Sequence, residues 1–277
     1  MSNLIDGLII GARKCGTTWL YENFRLDDLI TVSEKVKESG FFSLKEVHDS
    51  TKSGYLKLID RFESKRKKCV EVDTSIVYSP YFVSNINLHA SDAAVVLILR
   101  KPEDYLVSRI IHSIRKGEIK RDTVELIMEN NSWLRDEIDY LSIMNRFKNI
   151  NTKHKLVVPF ELLEIDDVEF YSLIKSCLIK LDQKKHFEPK IRNKINVSRS
   201  SRLPLLTIII TRAAILFRTM RLHAAVNFFK RLGFHSFFEV HNSDEDLRQL
   251  KIEAKEYIFN NYESSNQIWN RVADEYI

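Results

Sequence analysis

The sequence predicts an α/β domain of three layers, with a central, mostly parallel sheet flanked by helices. Short apolar runs recur from Leu4 through Val158, and helical stretches separate them. The first run also opens into a glycine-bounded loop that feeds a helix. Strands alternating with helices in this way form parallel sheets, with ligands at the C-terminal ends of the strands.

Taken in order, Leu4-Ile5-Asp6-Gly7-Leu8-Ile9-Ile10-Gly11 reads as a short buried strand. Ala12 to Thr18 follows as a loop, and Trp19 to Phe24 has apolar residues at helical spacing. Strand, loop and helix in this order present backbone N–H groups to a phosphate at a helix N-terminus. Further strands are expected at Cys69–Val72, Ala93–Leu99 and Leu156–Val158. The middle one is β-branched and does not alternate, as suits a strand covered on both faces. Helices are expected over Glu103–Lys116 and Asp122–Phe147. The loop Gly11–Thr18, the segment Asp73–Ser75 and Arg100 all fall at strand C-terminal ends.

Beyond residue 190 the texture changes. Asn193 to Arg202 is polar and basic, and Pro204 opens a long helical pattern toward Leu232. Two readings stand for 204–232: an amphipathic helix packed on the core, or one lying on a membrane surface through its Arg212, Arg218 and Arg221 rim. A last helix is expected over Asp244–Tyr262. The 277 residues are read as a single domain, an α/β core over 1–190 and a helical part over 191–277 that closes the site.

Composition narrows the function classes. Apolar residues make up 44% and charged residues 29%, so the chain can bury a sizeable core. With 43 Lys and Arg against 38 Asp and Glu, the formal charge of +5 suits an anionic ligand or simple solubility. No dense basic block interleaves with aromatics, so nucleic acid is not an expected partner. Cys15, Cys69 and Cys177 form neither a CxxC pair nor a Cys/His cluster, so no disulfide framework or zinc site is expected. No secretory leader or membrane span is legible, and the expected location is the cytoplasm, with peripheral contact at the inner membrane face as the variant.

The loop carries the chemistry. Gly11-x-x-x-x-Gly16 has the glycine spacing of a Walker A loop, the phosphate cradle of P-loop-type domains. A nucleotide kinase would have lysine directly after the second glycine, but Thr17 stands there and the lysine lies inside the loop as Lys14. The loop can still cradle a phosphate, whereas a small-molecule kinase would lack its key cation.

Arg13-Lys14-Cys15-Gly16-Thr17-Thr18-Trp19-Leu20 resembles the 5′-phosphosulfate loop of sulfotransferases, [R/P]-K-x-G-T-T-x-L. Leu97 to Pro102 followed by Ser108 resembles the family's R-x-P-x-x-R-x-x-S segment, with Tyr105 at the usual second arginine. Val36-Lys37-Glu38-Ser39-Gly40-Phe41-Phe42 resembles the K-E-x-H-F-F segment of heparan-type and related carbohydrate sulfotransferases, with Gly40 at the histidine position. Val72 to Tyr78 resembles E-K-[ST]-P-x-Y, with Asp73 for Glu and Thr74 for Lys. The strand ending in Glu161, the basic loop Asn196–Arg202 and the stretch Leu247–Trp269 extend the resemblance over nearly the whole chain.

The resemblance implies a bacterial carbohydrate sulfotransferase. Its donor would be 3′-phosphoadenosine 5′-phosphosulfate and its spent product adenosine 3′,5′-bisphosphate. The acceptor would be a saccharide or glycolipid hydroxyl or amine, and no metal would be required. It assigns donor binding to Arg13, Lys14, Cys15, Gly16, Thr17, Thr18 and Trp19, to Arg100 and Ser108 at the 3′-phosphate, and to Arg199 and Arg202. Glu38 would be the general base, with Lys37, Asp73 and Ser75 lining the acceptor side. Such a transfer has a loose transition state, so Lys14 would neutralise the departing phosphate oxygen while Glu38 takes the acceptor proton. A plain surface role for Glu38, a turn role for Asp73, His112 as an alternative base, and an inactive binding relative stay open on the residues alone.

Overall fold

The computed structural model describes residues 4–59, 67–192, 200–201, 239–240 and 244–277. Five strands, β1 (Gly7–Gly11), β2 (Ile30–Thr31), β3 (Lys68–Val72), β4 (Ala94–Leu99) and β5 (Lys155–Pro159), form one parallel sheet in the order β2-β3-β1-β4-β5. The predicted α/β class with a central parallel sheet is therefore observed. Ile9 of β1 pairs with Val72 on one side and Val96 on the other. The β1–β4 register shifts between Ile9 and Gly11, where the strand gives way to the loop.

The helices are α1 (Thr17–Arg25), α2 (Asp49–Leu58), α3 (Phe82–His89), α4 (Pro102–Lys116), α5 (Val124–Asn130), α6 (Ser132–Ile138), α7 (Tyr140–Lys148), α8 (Glu161–Ile165), α9 (Asp167–Leu178), α10 (Asp244–Asn261) and α11 (Glu263–Tyr276). Alternation along the strands divides the core. Leu8 and Ile10 of β1 with Val95, Leu97 and Leu99 of β4 meet Phe82 and Ile86 of α3, Ile143 and Phe147 of α7, and Ile268 of α11. On the other face α9 packs on β4 and β5. Trp19 and Phe24 of α1 reach the Tyr171 ring at centroid distances of 6.0 and 5.7 Å. Tyr171 and Lys175 also donate to the buried Asp27 just beyond α1, so the ion is paired and hydrogen-bonded in the interior.

Three expectations change. Asp122–Phe147, read as one helix, is α5, α6 and α7. Thr123 caps α5, accepting from the Leu126 N–H at 3.5 Å; the breaks follow at Asn131, the C-cap of α5, and at Asp139, which accepts from the Ser142 N–H at 3.1 Å and starts α7 where continuous apolar spacing hides the change. The last helix stops at Asn261, and Tyr262 opens α11. β1 begins at Gly7 rather than Leu4; just before it the Asp6 carboxylate accepts from Lys68 Nζ and the Cys69 N–H, each at 3.0 Å. Helices α2, α3, α8 and α9 were not anticipated. The helix predicted over 204–232 lies outside the described residues.

The chain divides into two compact units: Met1–Pro102, Asp136–Asn196 and Tyr262–Ile277, and Glu103–Arg135 with Val197–Asn261. The sheet belongs to the first. In the second, Val124 N donates to Glu253 of α10 at 3.0 Å, and Lys251 pairs with Asp104 at 2.8 Å. Ser200–Ser201 and Glu239–Val240 form an antiparallel ladder there. No helix among the described residues is long and apolar enough to cross a membrane.

The tightest backbone approach in the sheet layer is at Gly7. A Cβ there would lie 2.7 Å from Leu178 Cδ2 and 3.1 Å from Val70 Cγ2. Gly7→Val is expected to cost about 2 kcal/mol through overpacking, read as a lower urea midpoint with an unchanged m-value.

Candidate active site

The loop after β1 is fixed by its backbone. Ala12 N donates to Ile98 O of β4 at 2.6 Å, and the chain then turns through left-handed φ values of 62° at Lys14 and 72° at Gly16. A Cβ on Gly16 would meet Leu163 Cδ2 at 2.7 Å and Phe160 Cε2 at 3.2 Å, so both space and φ call for glycine. Helix α1 starts at Thr17 with no side-chain cap. Its first N–H groups and the positive end of its dipole thus face the loop, an arrangement that favours an anion.

Arg100 stands beside this loop at the end of β4. Its Nη1 donates to the Lys14 carbonyl at 3.1 Å, and its guanidinium lies over the Phe160 ring at 4.7 Å. The Arg100 carbonyl accepts from Tyr140 Oη at 2.6 Å, and the next N–H, of Lys101, donates to Glu161 at 2.8 Å. Glu161 also accepts from Trp269 Nε1 at 3.1 Å, which ties the strand end to α11. Arg100 Nε is buried and has no hydrogen-bond partner among the described residues. A buried donor left unmade is costly, and a phosphate oxygen would satisfy it in the charge-assisted geometry that guanidinium favours.

The segment after β2 comes to the same strand ends. Lys37 Nζ lies 3.3 Å from both the Thr17 and Thr18 hydroxyl oxygens and 3.5 Å from Glu38 Oε1. Burial draws the Lys37 pKa down, against the pull of Glu38 and Asp73. Glu38, with 40% of its side chain exposed, accepts from the Thr74 hydroxyl at 2.7 Å. Asp73 is fully buried and accepts from Gly40 N at 2.7 Å, Ser75 N at 3.0 Å and Ser75 Oγ at 2.6 Å. Glu71, also buried, accepts from the Ser39 N–H and hydroxyl and from Tyr55 Oη at 2.7 Å. Burial is the largest influence on Glu71 and raises its pKa from the ordinary 4.5 to about 7.

Lys14, Gly16, Thr17, Thr18, Arg100, Lys37, Glu38, Asp73 and Ser75 therefore converge at neighbouring strand ends of the first unit. The side chains of Arg13, Cys15 and Trp19 have partners of their own within the first unit. Arg13 pairs with the buried Glu137 at 2.9 Å and stacks over Tyr78. Cys15 is fully buried, its Sγ donating to the Arg13 carbonyl, and burial pushes the thiol far up. The Trp19 ring is in the core. Ser108 is buried in α4, in the second unit. Arg109 is buried there, stacked over Trp133 at 4.6 Å and donating to Ser113 at 2.9 Å. The aromatic face of Trp133 makes burial of that guanidinium tolerable. His112 contacts Arg115 at 3.1 Å. Arg199 and Arg202 lie outside the described residues.

Sequence reasoning missed Phe160, Tyr140 and Glu71, and took Thr74 only as a replacement for the family's lysine. Only Glu71 carried a local signal, a carboxylate inside the buried strand Lys68–Val72. Among the described residues no group of three or more His, Cys, Asp or Glu side chains is arranged to hold a metal ion.

A parallel sheet with an anion loop after its central strand and a guanidinium at the next strand end defines a phosphate-ester-binding α/β protein. The sequence model of the sulfotransferase domain matches residues 4–146, more than half of the 277 residues, and the chain belongs to that family of PAPS-dependent enzymes. A sulfotransferase from Alicyclobacillus acidocaldarius is similar in fold, with a TM-score of 0.54 and 18% identity over 80% of this chain and 96% of that one. Mouse sulfotransferase SULT7A1 complexed with PAP aligns at a TM-score of 0.42 and 20% identity over 66% of this chain and 62% of that one. No curated protein matches the sequence.

Glu71 generates a pH dependence of known sign. Because its pKa is raised in the fold, the native state holds a proton between pH 4.5 and about 7 that the unfolded chain has lost. Stability therefore falls as pH rises through that window, by about 3 kcal/mol in total. Glu71→Gln is expected to remove the fall, read by urea unfolding below and above the window. Parallel curves for the two proteins would contradict it.

Proposed function

We propose that the chain transfers the sulfuryl group of 3′-phosphoadenosine 5′-phosphosulfate to a hydroxyl or amine of a saccharide or glycolipid, with Glu38 as general base. The observation that carries this reading is the bridge formed by Lys37, whose ammonium contacts the loop hydroxyls of Thr17 and Thr18 at 3.3 Å and Glu38 at 3.5 Å. One side chain thus separates the anion loop from a half-exposed carboxylate. That is the spacing needed for a base to reach a nucleophile aimed at a group held in the loop.

The roles follow from charge. The donor supplies an activated sulfate ester. The α1 N–H groups and Arg100, with its unpartnered buried Nε, suit its two phosphate-bearing ends. Lys14, at the turn of the loop, suits neutralisation of the oxygen that departs from sulfur, the kind of charge stabilisation that dominates loose transfers. Lys37 adds a second positive charge on the same side and, with the Thr74 hydroxyl, directs Glu38. Glu38 takes the proton of the incoming hydroxyl or amine. The saccharide class rests on the Lys37-Glu38 and Phe41-Phe42 resemblance and on the exposure of Glu38 to a large acceptor.

Three substitutions separate these roles. Glu38→Gln is expected to keep affinity for adenosine 3′,5′-bisphosphate while turnover falls by on the order of 10²–10⁴. Lys14→Ala is expected to abolish transfer. Arg100→Ala is expected to weaken adenosine 3′,5′-bisphosphate binding by calorimetry, and an unchanged affinity would sink the assigned donor site. Transfer is read with radiolabelled donor and desulfated heparan oligosaccharides, and should persist in EDTA. A thermal-shift panel of adenosine 3′,5′-bisphosphate, ATP, and ATP with Mg²⁺ should stabilise with the first alone, whereas a kinase would respond to the last.

A further inference from the structure

The segment that carries Glu38 is held by an unusual set of bonds. Glu71 and Asp73 stand two residues apart, so their side chains leave the end of β3 toward the same face. They take consecutive backbone donors: Ser39 N donates to Glu71 Oε1 at 3.2 Å and Gly40 N to Asp73 Oδ2 at 2.7 Å. The Ser39 hydroxyl adds a short bond to the same Glu71 oxygen, and Tyr55 of α2 donates to the other. Thr74 completes the run by donating to Glu38 itself. Residues 38, 39 and 40 are thus matched one by one with Thr74, Glu71 and Asp73.

We propose that Glu71 is a positioning residue, whose buried carboxylate fixes Ser39 and thereby sets the direction in which Glu38 presents its own carboxylate to the acceptor. This rests on the reading of Glu38 as the base. Three observations support it. The first is cost: an apolar side chain would serve a buried strand better, since a carboxylate loses its hydration there, so the residue's use lies in what it binds. The second is packing. A small cavity, whose lining includes Val32, Val36, Lys37, Ser39, Ile59 and Glu71, lies along the segment, so packing there is incomplete and the bonds to Glu71 add to what holds it. The third is adjacency, because Glu38 is covalently next to the residue Glu71 holds, and a loss of aim of about 1 Å at a reacting group can cost on the order of 10² in rate.

The test is a double-mutant cycle read as kcat and KM with desulfated heparan oligosaccharides and radiolabelled donor, alongside calorimetric affinity for adenosine 3′,5′-bisphosphate. Glu71→Leu is expected to lower kcat by on the order of 10–10² with donor affinity unchanged. Glu71→Gln, which keeps an accepting oxygen for Ser39, should recover most of that loss. In the Glu38→Gln background Glu71→Leu should lose nothing more, because the residue acts only through the base. Additive losses in the double variant, or a folded Glu71→Leu with normal kcat, would overturn the inference while leaving the base intact. A near-normal Glu38→Gln would instead remove the base assignment, and this inference with it. If Glu71→Leu does not fold, Ser39→Ala replaces it: a several-fold loss of kcat that vanishes in the Glu38→Gln background supports the positioning role, and one that persists there refutes it.

Discussion

The parallel pairing of β1 with β3 on one side and β4 on the other is the constraint on which the site depends. Parallel strands point every C-terminal end to the same edge, so whatever follows each strand arrives at one place. The register is tight: Ile9 sits between Val72 and Val96, which puts the loop, Asp73 and Arg100 within a few residues of the same level. No local preference brings Lys14, Glu38 and Arg100 together, since 24 positions separate the first two and 62 the last two. The ladder does.

On that edge the charges are arranged to be held before any ligand arrives. Arg100 is braced by the Lys14 carbonyl and the Phe160 face, Lys37 by two hydroxyls and a carboxylate, and Asp73 by three donors. Side chains fixed in this way lose little freedom when a substrate binds, which is how pre-organised dipoles contribute to loose transfer reactions. Glu71 is the exception in character. Its ionisation opposes folding, and its value is in the segment it directs.

Much of the donor side was legible in the residues. The spacing of Gly11, Gly16 and Thr17 announces an anion loop, and the all-apolar run Ala94–Leu99 announces a buried strand with Arg100 at its end. The acceptor side was less so. Glu38 could be singled out, but its links to Thr74 and Lys37 join residues from different strand ends, and sequence distance carries no record of them. The side chain of Arg13, within the loop, pairs with Glu137, and the ring of Trp19 lies in the core, which the residues alone do not announce. Adjacency along a chain does not say which way a side chain points.

Composition, periodicity and loop spacing by themselves determined the α/β class, the phosphate-loop position and the strand that bears Arg100, because each depends on short-range geometry repeated every two or four residues. Tertiary structure alone decided the burial of Arg109 against Trp133 and the grip of Glu71 and Asp73 on Ser39 and Gly40. Those outcomes turn on which donor meets which acceptor in a desolvated interior, and only the packed fold sets that.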